Sequence, residues 1–354
     1  MKDSNKPLVD QERAVELNLV RATEAAALST FQWIGKGEKN AADAAACDAI
    51  RGMFDEISVC GKVMIGEGIK DNAPGIFLGE KLGTWEPDSL KLDIAIDPID
   101  GTTNVSKGLP NSISVLAAAS PDHGQKNALV HLPSFYCQKL AYGPAVVAAV
   151  EAGQIDPLAL DAPIETNLRL IGKALNKRVQ DLTVVLLDRP RHEELVRRIR
   201  QAGASIRMIG DGDVAGAIAP ALPDGDVDLY CGIGGSAEAV LAAAALRCLG
   251  GDIQVRMWPR DDAERAALTR AGHGTILKRA YAARELARGD SILFCATGIT
   301  DSPLLRGLKM TGVRAITHSI VMRARHRTVR FIKSYHDLST KKIRLRSDRK
   351  EHKL

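Results

Sequence analysis

The six residues Asp-Pro-Ile-Asp-Gly-Thr at positions 97–102 are the part of this 354-residue chain whose types and spacing most clearly suggest chemistry. An apolar strand predicted just before them delivers Asp97 to the end of a sheet, and Pro98 is expected to end the strand's hydrogen bonding. Asp100 projects from the following turn, and Thr102 adds a hydroxyl where a helix begins. Two carboxylates and one carbonyl within four residues suit hard divalent cations, and a helix start offers N–H groups to an anion. An Asx-type turn without a ligand is the alternative.

Two more acidic residues lie where a metal ion could use them. Glu67, between two glycines, directly follows a strand predicted at residues 63–65, and Asp43 falls in the first turn of a helix predicted to begin at Asn40. Lys39, just before that helix, adds a positive charge. Without a metal ion, Glu67 would be the tip of a hairpin and Asp43 a partner of the helix dipole.

A glycine-rich segment offers a third element of a site. Residues 232–238 read Gly-Ile-Gly-Gly-Ser-Ala-Glu and are expected to form a loop that leads from a strand into an alanine-rich helix. The start of that helix could hold a phosphate while Glu238 reaches a metal ion. A closely packed strand-to-helix turn is the alternative.

The elements that must position these residues follow from the hydrophobic pattern. A helix is predicted over residues 8–34, interrupted at the glycines beside Lys36, and Glu24 breaks its apolar stripe once. From Thr183 onward strands alternate with helices, which indicates an α/β second half and a boundary near residue 180. The elements predicted there are strand 183–187, a helix from Arg191, strand 205–209, helix 214–221, strand 226–230 and helix 236–249.

Composition narrows the class of protein. Apolar residues at 45% and charged residues at 26% indicate a soluble globular protein, and the length suggests about two domains. Apolar runs stay below the roughly 18 residues that a membrane helix needs, and the first residues lack the apolar stretch of a signal peptide. Six scattered cysteines without a CxxC pair exclude a zinc ribbon or a disulfide scaffold and favour core thiols in the cytosol.

The net charge of +5 is unevenly distributed. From Arg306 onward the chain has 15 Lys and Arg against 3 Asp and Glu, while residues 1–305 have 33 against 40. An acidic body with 4% aromatic residues is not typical of a nucleic-acid-binding fold. Residues 339–354 are too polar for a core and are predicted to form a disordered basic tail.

Together, Gly66-Glu67 and residues 97–102 resemble the metal-site signature of the lithium-sensitive, magnesium-dependent phosphatase superfamily, which includes inositol monophosphatases and fructose-1,6-bisphosphatases. Residues 33–37, 39–45 and 232–238 narrow the resemblance to the bacterial class II fructose-1,6-bisphosphatase family, whose cyanobacterial-type members also act on sedoheptulose 1,7-bisphosphate. The resemblance covers about residues 10–338. It implies a layered α-β-α-β-α sugar-phosphatase fold, with an N-terminal α+β metal-binding domain (1–180) and a C-terminal α/β substrate-binding domain (181–338).

The resemblance also implies the cofactor and the catalytic residues. About two or three Mn²⁺ or Mg²⁺ ions would be held by five acidic residues, namely Asp43, Glu67, Asp97, Asp100 and Glu238. Glu238 would replace the Trp-Asp-x-Ala motif of inositol phosphatases, which is missing here. Many family members have Glu in place of Asp100, and the shorter acid resembles the cyanobacterial-type branch. Catalytic roles are implied for Asp43, for Thr102 in orienting the nucleophile or leaving group, and for Lys39 as positive charge beside the phosphate; the general base is left open.

The implied substrate contacts come from both halves of the chain. They are Asp100, Gly101, Thr102, Tyr136, Arg189, Pro190, Arg191, Asp211, Gly212, Asp213 and Gly235. The residue types agree with these roles. Arg189 and Arg191 flank Pro190 at the expected start of a helix, which is a good place to bind a second phosphate. Asp211 and Asp213 follow a strand and could accept hydrogen bonds from sugar hydroxyls; surface charge for the arginines and a helix cap for Asp211 are the alternatives.

These features predict hydrolysis of the C1 phosphate of fructose 1,6-bisphosphate, and also of sedoheptulose 1,7-bisphosphate, in gluconeogenesis or the Calvin cycle. The enzyme is expected to be a cytoplasmic homodimer or homotetramer with no membrane or nucleic-acid partner. Metal-held charge and positioning would supply an acceleration that no single side chain gives. Two alternatives stay open: a monophosphatase for inositol phosphate or a nucleotide 3'-phosphate, and a catalytically degenerate body whose basic tail binds RNA.

Overall fold

The computed structural model of the chain describes residues 6–66, 69–70, 73–122 and 124–347. It divides into two compact units, one formed by Met1–Leu129 with Arg288–Leu354 and the other by Val130–Ala287. The first unit is discontinuous because strand Ile292–Gly298 pairs with strand Ile113–Ala119. The boundary predicted near residue 180 therefore falls inside the second unit. The order of elements along the chain does not reveal that strand Ile292–Gly298 pairs back with a strand of the N-terminal part.

The helices and strands follow in chain order. The helices are α1 (Lys6–Thr30), α2 (Lys39–Phe54), α3 (Thr102–Lys107), α4 (Pro144–Glu151), α5 (Ile164–Leu175), α6 (Glu193–Ala202), α7 (Asp213–Ile218), α8 (Ser236–Leu249), α9 (Asp262–Leu268) and α10 (Ala283–Leu286). The strands are β1 (Val59–Ile65), β2 (Ile69–Lys70), β3 (Ala73–Pro74), β4 (Lys81–Leu82), β5 (Leu90–Asp100), β6 (Ile113–Ala119), β7 (Tyr136–Tyr142), β8 (Thr183–Leu187), β9 (Ser205–Ile209), β10 (Leu229–Gly235), β11 (Asp252–Trp258), β12 (Ala280–Ala282), β13 (Ile292–Gly298), β14 (Lys309–Thr311), β15 (Arg314–Arg323) and β16 (Thr328–Asp337).

Each unit contains a mixed sheet. In the first unit the strand order is β14-β15-β13-β6-β5-β1-β4, with β16 paired to β15, and β2 and β3 form a separate pair. There β1 and β5 run parallel, whereas β5, β6, β13 and β15 pair antiparallel in succession. In the second unit the order is β12-β11-β7-β10-β8-β9, with parallel pairs β10–β8 and β8–β9. The predicted alternation of strands and helices is confirmed for β8-α6-β9-α7, and the whole is an α/β fold with mixed sheets.

The core of the first unit lies between α1, α2 and the sheet. The two helices contact each other through small side chains that are fully buried, namely Ala22, Ala26, Ala42 and Ala46. Small residues at a helix contact allow the helix axes to approach closely. Glu24, which interrupts the stripe of α1, is buried and accepts a hydrogen bond from the Thr317 hydroxyl at 3.0 Å. The interruption therefore marks a buried polar contact between α1 and β15.

The start of α2 differs from the prediction. The helix begins at Lys39, and Glu38 occupies the N-cap position without a capping side-chain hydrogen bond. Asn40 therefore lies inside the first turn and does not cap the helix. The shift matters because α2 carries Lys39 and Asp43, both of which are candidate site residues.

Residues 339–347 are the described part of the predicted tail 339–354, and ion pairs attach them to the folded body. Residues 348–354 lie outside the described residues. Arg346 forms an ion pair with Asp55 at 2.8 Å, and Arg344 forms one with Glu56. Both carboxylates lie just after α2. Acidic partners on the folded body therefore hold a segment that has too few apolar residues to bury itself.

The cysteines and the helices agree with the expectations from composition. All six cysteines are reduced thiols, and five of them are buried. Burial raises the pKa of the Cys231 and Cys248 thiols to about 12, so these groups are protonated and unreactive. Within the described ranges, no helix is long and apolar enough to cross a membrane.

Candidate active site

A bulge in β5 sets the direction of the two acidic side chains at its end. Asp97 pairs with Val115 and Asp100 pairs with Ile113, so β5 uses three steps where β6 uses two. Residues three apart in a regular strand face opposite sides of the sheet, and the extra residue returns Asp100 to the face of Asp97. Both side chains are buried, at 3% and 2% exposed. Pro98 does not end the strand as predicted; it lies within the bulge, where a residue without an N–H is tolerated.

The turn that follows the bulge requires a glycine. Gly101 has φ = 98°, in the left-handed region, and a Cβ there would lie 2.7 Å from the carbonyl oxygen of Asn111. The Ser112 hydroxyl donates to the Gly101 carbonyl at 2.9 Å. These contacts fix the turn and place Thr102 at the start of α3.

Thr102 joins this turn to α2. Its hydroxyl oxygen lies 3.1 Å from Asp43 Oδ1 and 3.0 Å from the carbonyl oxygen of Ile99, and it donates its single proton to one of them. The Ile99 N–H donates to Asp97 Oδ1 at 3.1 Å. The structure therefore brings Asp43, Thr102 and the turn from Asp97 to Asp100 into one hydrogen-bonded cluster.

Lys39 reaches the same helix start as Thr102. It is the first residue of α2, it is exposed, and its ammonium donates to the Thr103 hydroxyl at 2.9 Å. Positive charge is thus held beside the first turn of α3. Glu67, the remaining predicted acid of the first unit, lies outside the described residues.

The donors of this cluster fit a hard divalent cation. Carboxylates of Asp43, Asp97 and Asp100, with the Ile99 carbonyl nearby, are the all-oxygen set that Mg²⁺ and Mn²⁺ prefer. Among the residues the structure describes, no three or more His, Cys, Asp or Glu side chains already converge as a metal site. Glu67 also belongs to the predicted set of ligands and lies outside the described residues. The fit to a divalent cation therefore rests on the chemistry of the oxygen donors and on the shared face of Asp97 and Asp100.

In the second unit, Arg191 is held by the backbone and by an aromatic ring. The connection after β8 forms a 3₁₀ turn, Pro190–His192, and α6 begins only at Glu193, so Arg191 does not open an α-helix as predicted. Its Nε and Nη2 donate to the Ile233 carbonyl at 3.2 and 2.8 Å. Its Cζ lies 4.7 Å from the centre of the Tyr136 ring, a cation–π contact. The guanidinium is therefore fixed in place by two strands, β10 and β7.

Arg189 connects the ends of β8 and β9. Its Nη1 donates to the carbonyl oxygens of Asp188 and Gly210 at 2.9 and 2.7 Å. Its Nη2 lies 3.9 Å from Asp211 Oδ1. Gly212, with φ = 85°, then precedes α7. Arg189 thus uses part of its hydrogen-bonding capacity within the fold. It is more than the surface charge that was the alternative interpretation of this residue.

Asp213, a predicted substrate contact, has its carboxylate engaged inside the second unit. It is 4% exposed, forms an ion pair with the fully buried Lys139, and accepts a hydrogen bond from the Tyr230 hydroxyl. A Cβ on Gly234 would overlap the same carboxylate. The sequence reasoning missed Lys139 and Tyr230, although Lys139 stands on the buried side of β7, alternating with apolar residues. A lysine on that side of a strand signals a buried acidic partner.

The glycine-rich segment is a strand and not the predicted loop. Gly232–Gly235 belong to β10, which pairs with β7 until Gly235 lies opposite Tyr136. Glu238 falls in the first turn of α8, and its carboxylate folds over Gly235 so that a Cβ there would overlap it. The missing side chain of Gly235 therefore makes room for Glu238.

The chain matches known proteins along most of its length. The family described as bacterial fructose-1,6-bisphosphatase, glpX-encoded, matches residues 13–336. A fructose-1,6-bisphosphatase class 2 of Haemophilus influenzae is 41% identical over 337 residues, covering 92% of this chain and 97% of that protein. A fructose-1,6-bisphosphatase 1 class 2 of Escherichia coli K12 is 37% identical over 342 residues, covering 94% and 97%. The chain therefore belongs to the family of glpX-encoded bacterial fructose-1,6-bisphosphatases.

Proposed function

We propose that this chain hydrolyses fructose 1,6-bisphosphate to fructose 6-phosphate with Mn²⁺ or Mg²⁺ as cofactor. The observation that carries the proposal is the bulge in β5, which turns Asp97 and Asp100 to one face beside a hydroxyl that also reaches Asp43. The substrate follows from the family, since the matched relatives are named fructose-1,6-bisphosphatases.

The acidic cluster is assigned to the phosphate that is cleaved, at C1. The proposed metal ligands are Asp43, Glu67, Asp97, Asp100 and Glu238, of which Glu67 and Glu238 rest on the sequence pattern and the family resemblance. When bound, divalent cations neutralise phosphoryl oxygens and lower the pKa of a water. The Thr102 hydroxyl orients the nucleophile or the leaving group, because the turn at Gly101 and the contact with Asp43 fix its position. Lys39, held at Thr103, adds positive charge for the phosphate.

The second phosphate is assigned to Arg191. A cation held by a carbonyl and an aromatic ring keeps its orientation, and a guanidinium can bind phosphate oxygens in a defined geometry. Tyr136, Arg189, Pro190, Asp211, Gly212 and Gly235, with Asp100 to Thr102, stay as proposed substrate contacts. Asp213 also stays a proposed contact, with its carboxylate paired to Lys139 and packed against Gly234.

Finer points of the resemblance also belong to this proposal. The layered sugar-phosphatase arrangement, activity on sedoheptulose 1,7-bisphosphate, a homodimer or homotetramer, and a cytoplasmic location are all proposed on family grounds. Asp100, in place of the Glu that many members have, is the one residue that favours the second substrate.

The basic C-terminal residues give little support to RNA binding. Arg346 pairs with Asp55, Arg344 with Glu56, and Arg330 with the buried Glu16. Cations that neutralise acids of the same chain are less available to a phosphate backbone.

Phosphate release from purified protein tests the proposal. Fructose 1,6-bisphosphate, inositol monophosphate and a nucleotide 3'-phosphate are compared at equal concentration, with Mn²⁺ and Mg²⁺ supplied separately. We expect turnover of the bisphosphate with at least one metal and little turnover of the others. Preferred hydrolysis of inositol monophosphate, or turnover of the bisphosphate in excess chelator, would overturn it.

A further inference from the structure

His192 connects two strands of the second unit through a defined tautomer. Its side chain is buried, Nδ1 lies 2.7 Å from the Leu187 carbonyl at the end of β8, and Nε2 lies 2.8 Å from the Ile233 nitrogen in β10. The Ile233 N–H is a donor, so Nε2 must be the acceptor. The proton then resides on Nδ1, which donates to Leu187. Both ring nitrogens are satisfied only when the imidazole is neutral.

The surroundings favour this neutral form. Burial is the main cause that lowers the pKa of His192, and the nearby charges of Arg191 and Arg189 lower it further. The Leu187 carbonyl and Asp213 act in the opposite direction. The charged side chains of Lys139 and Arg198 face the same cavity of about 240 Å³ that the His192 ring lines. Lys139 is paired with Asp213 and Arg198 with Glu165.

The backbone of Ile233 connects the position of His192 to that of Arg191. The same residue whose N–H is held by His192 accepts two hydrogen bonds from Arg191 at its carbonyl. The guanidinium uses Nε and Nη2 in these bonds, and in the part of the chain that the structure describes Nη1 makes none. Both protons of Nη1 and the second proton of Nη2 are left to reach a phosphate.

Gly232 makes the contact possible. Its φ is +139°, and a Cβ there would lie 3.1 Å from both Cε1 and Nε2 of His192. A side chain at this position would push the ring away from Ile233. Part of the glycine-rich character of residues 232–235 therefore serves the imidazole, independently of any ligand.

We propose that His192 is a positioning residue, which orients the Arg191 guanidinium toward the non-reacting phosphate by fixing the backbone of Ile233. This inference rests on the proposed function, in particular on the assignment of Arg191 to the second phosphate. His192 itself contacts neither substrate nor metal in this proposal.

Two conservative substitutions separate the two hydrogen bonds of the ring. In His192→Gln the side-chain oxygen can take the place of Nε2 and still accept from Ile233. In His192→Asn the amide can take the place of Nδ1 and donate to Leu187, but it does not reach Ile233. We expect His192→Asn to raise KM for fructose 1,6-bisphosphate about tenfold, the loss of roughly one hydrogen bond to a buried group, and His192→Gln to stay near wild type. Turnover of a small generic phosphate monoester should be unchanged in both.

The pH profile adds a readout that a purely structural role would not move. Protonation of wild-type His192 turns Nε2 into a donor facing the Ile233 N–H. Because burial lowers the pKa of His192, KM for the bisphosphate should rise only at a pH below the ordinary histidine range. The glutamine of His192→Gln cannot be protonated, so its KM lacks this rise. The ratio of the His192→Gln KM to the wild-type KM should therefore fall as the pH is lowered through that range. Titration of the substrate and of the metal site cancels in this ratio.

The outcomes distinguish a failure of this inference from a failure of the proposed function on which it rests. Absence of bisphosphate turnover in the wild type would overturn the proposed function before any variant is made. An unchanged KM in Arg191→Ala would remove the second-phosphate assignment. If Arg191→Ala raises KM but Asn and Gln at position 192 behave alike at every pH, or if ring ¹⁵N shifts show the Nε2–H tautomer, the inference about His192 is wrong.

Discussion

The two units of this chain hold charge in opposite ways. In the first, carboxylates gather on a bulge of a central strand and are joined through the Thr102 hydroxyl to α2. In the second, the guanidinium groups of Arg189 and Arg191 are held by backbone carbonyls on and between strands. A sugar bisphosphate presents two phosphates of the same charge. In the proposed function, the acidic cluster serves the phosphate that is cleaved and Arg191 the phosphate that is only bound.

The different chemistry of a bound metal ion and of a guanidinium group explains why the two phosphates are assigned to different residues. A divalent metal held by carboxylates stabilises developing charge and supplies a reactive water, whereas a guanidinium offers a fixed fork of N–H donors and keeps its proton. We therefore expect the acidic cluster to govern kcat with any phosphate ester. We expect the arginine to matter only for a substrate with a second phosphate.

The largest effect should come from Asp97→Asn. Removing one carboxylate from a shared metal cluster should lower kcat by about 10³-fold or more and weaken Mn²⁺ binding measured by calorimetry, with the fold retained. Retention of near-normal activity at low Mn²⁺ would exclude Asp97 from the metal site.

Asp93→Asn is the matched control on the same strand. Asp93 is also buried, but its Oδ2 accepts from the N–H groups of Ala128 and Leu129 at 2.5 and 3.2 Å. An amide oxygen can accept both bonds, and burial raises the pKa of Asp93, so a neutral group is tolerated there. Equal loss of turnover in both variants would mean that any buried acid of β5 is needed for folding.

Lys139→Met should chiefly affect stability. Lys139 is fully buried against Asp213, and removing one partner leaves an uncompensated carboxylate, which costs about 3–5 kcal/mol in the free energy of unfolding. Arg207→Met is the control, because Arg207 pairs with Asp226 at 3.0 Å and the two side chains are 39% and 74% exposed, so its loss should cost at most about 1 kcal/mol. Denaturant titration of both variants measures the difference. Equal costs would show that burial does not determine the strength of the pair.

A smaller effect is expected from removing residues 341–354. The deletion takes away the Arg346–Asp55 pair and the backbone of Arg344, which passes so close to Gly52 of α2 that a Cβ there would overlap it. These partly exposed contacts should contribute about 1–2 kcal/mol, or a few degrees in Tm, with kcat of the folded protein largely kept. Arg178→Ala, which removes an exposed pair with Asp181, should leave Tm nearly unchanged. A large loss of kcat without loss of folding would show that the segment holds α2 in its active position.

The sequence allowed the acidic cluster to be predicted better than its surroundings. Asp97, Asp100 and Thr102 stood out in the sequence because hard divalent cations prefer oxygen ligands and these oxygen-bearing side chains fall within six residues. The bulge that aligns them could not be foreseen, since it depends on the register between β5 and β6. In the same way, the burial of Asp213 depends on Lys139, 74 residues away, and the order of residues 339–347 depends on carboxylates near position 55.

Kinetics of Arg191→Ala on two substrates tests the central claim most directly. The kcat/KM for fructose 1,6-bisphosphate should fall by about ten- to a hundredfold, as expected for a charge-assisted hydrogen bond of about 1.5–3 kcal/mol, and part of the loss should appear in kcat. Hydrolysis of a small generic phosphate monoester should stay within about twofold of wild type. An equal loss on both substrates would place Arg191 at the reacting phosphate or in the fold. No loss on either would contradict the division of roles between the two units and leave Arg189 as the next candidate.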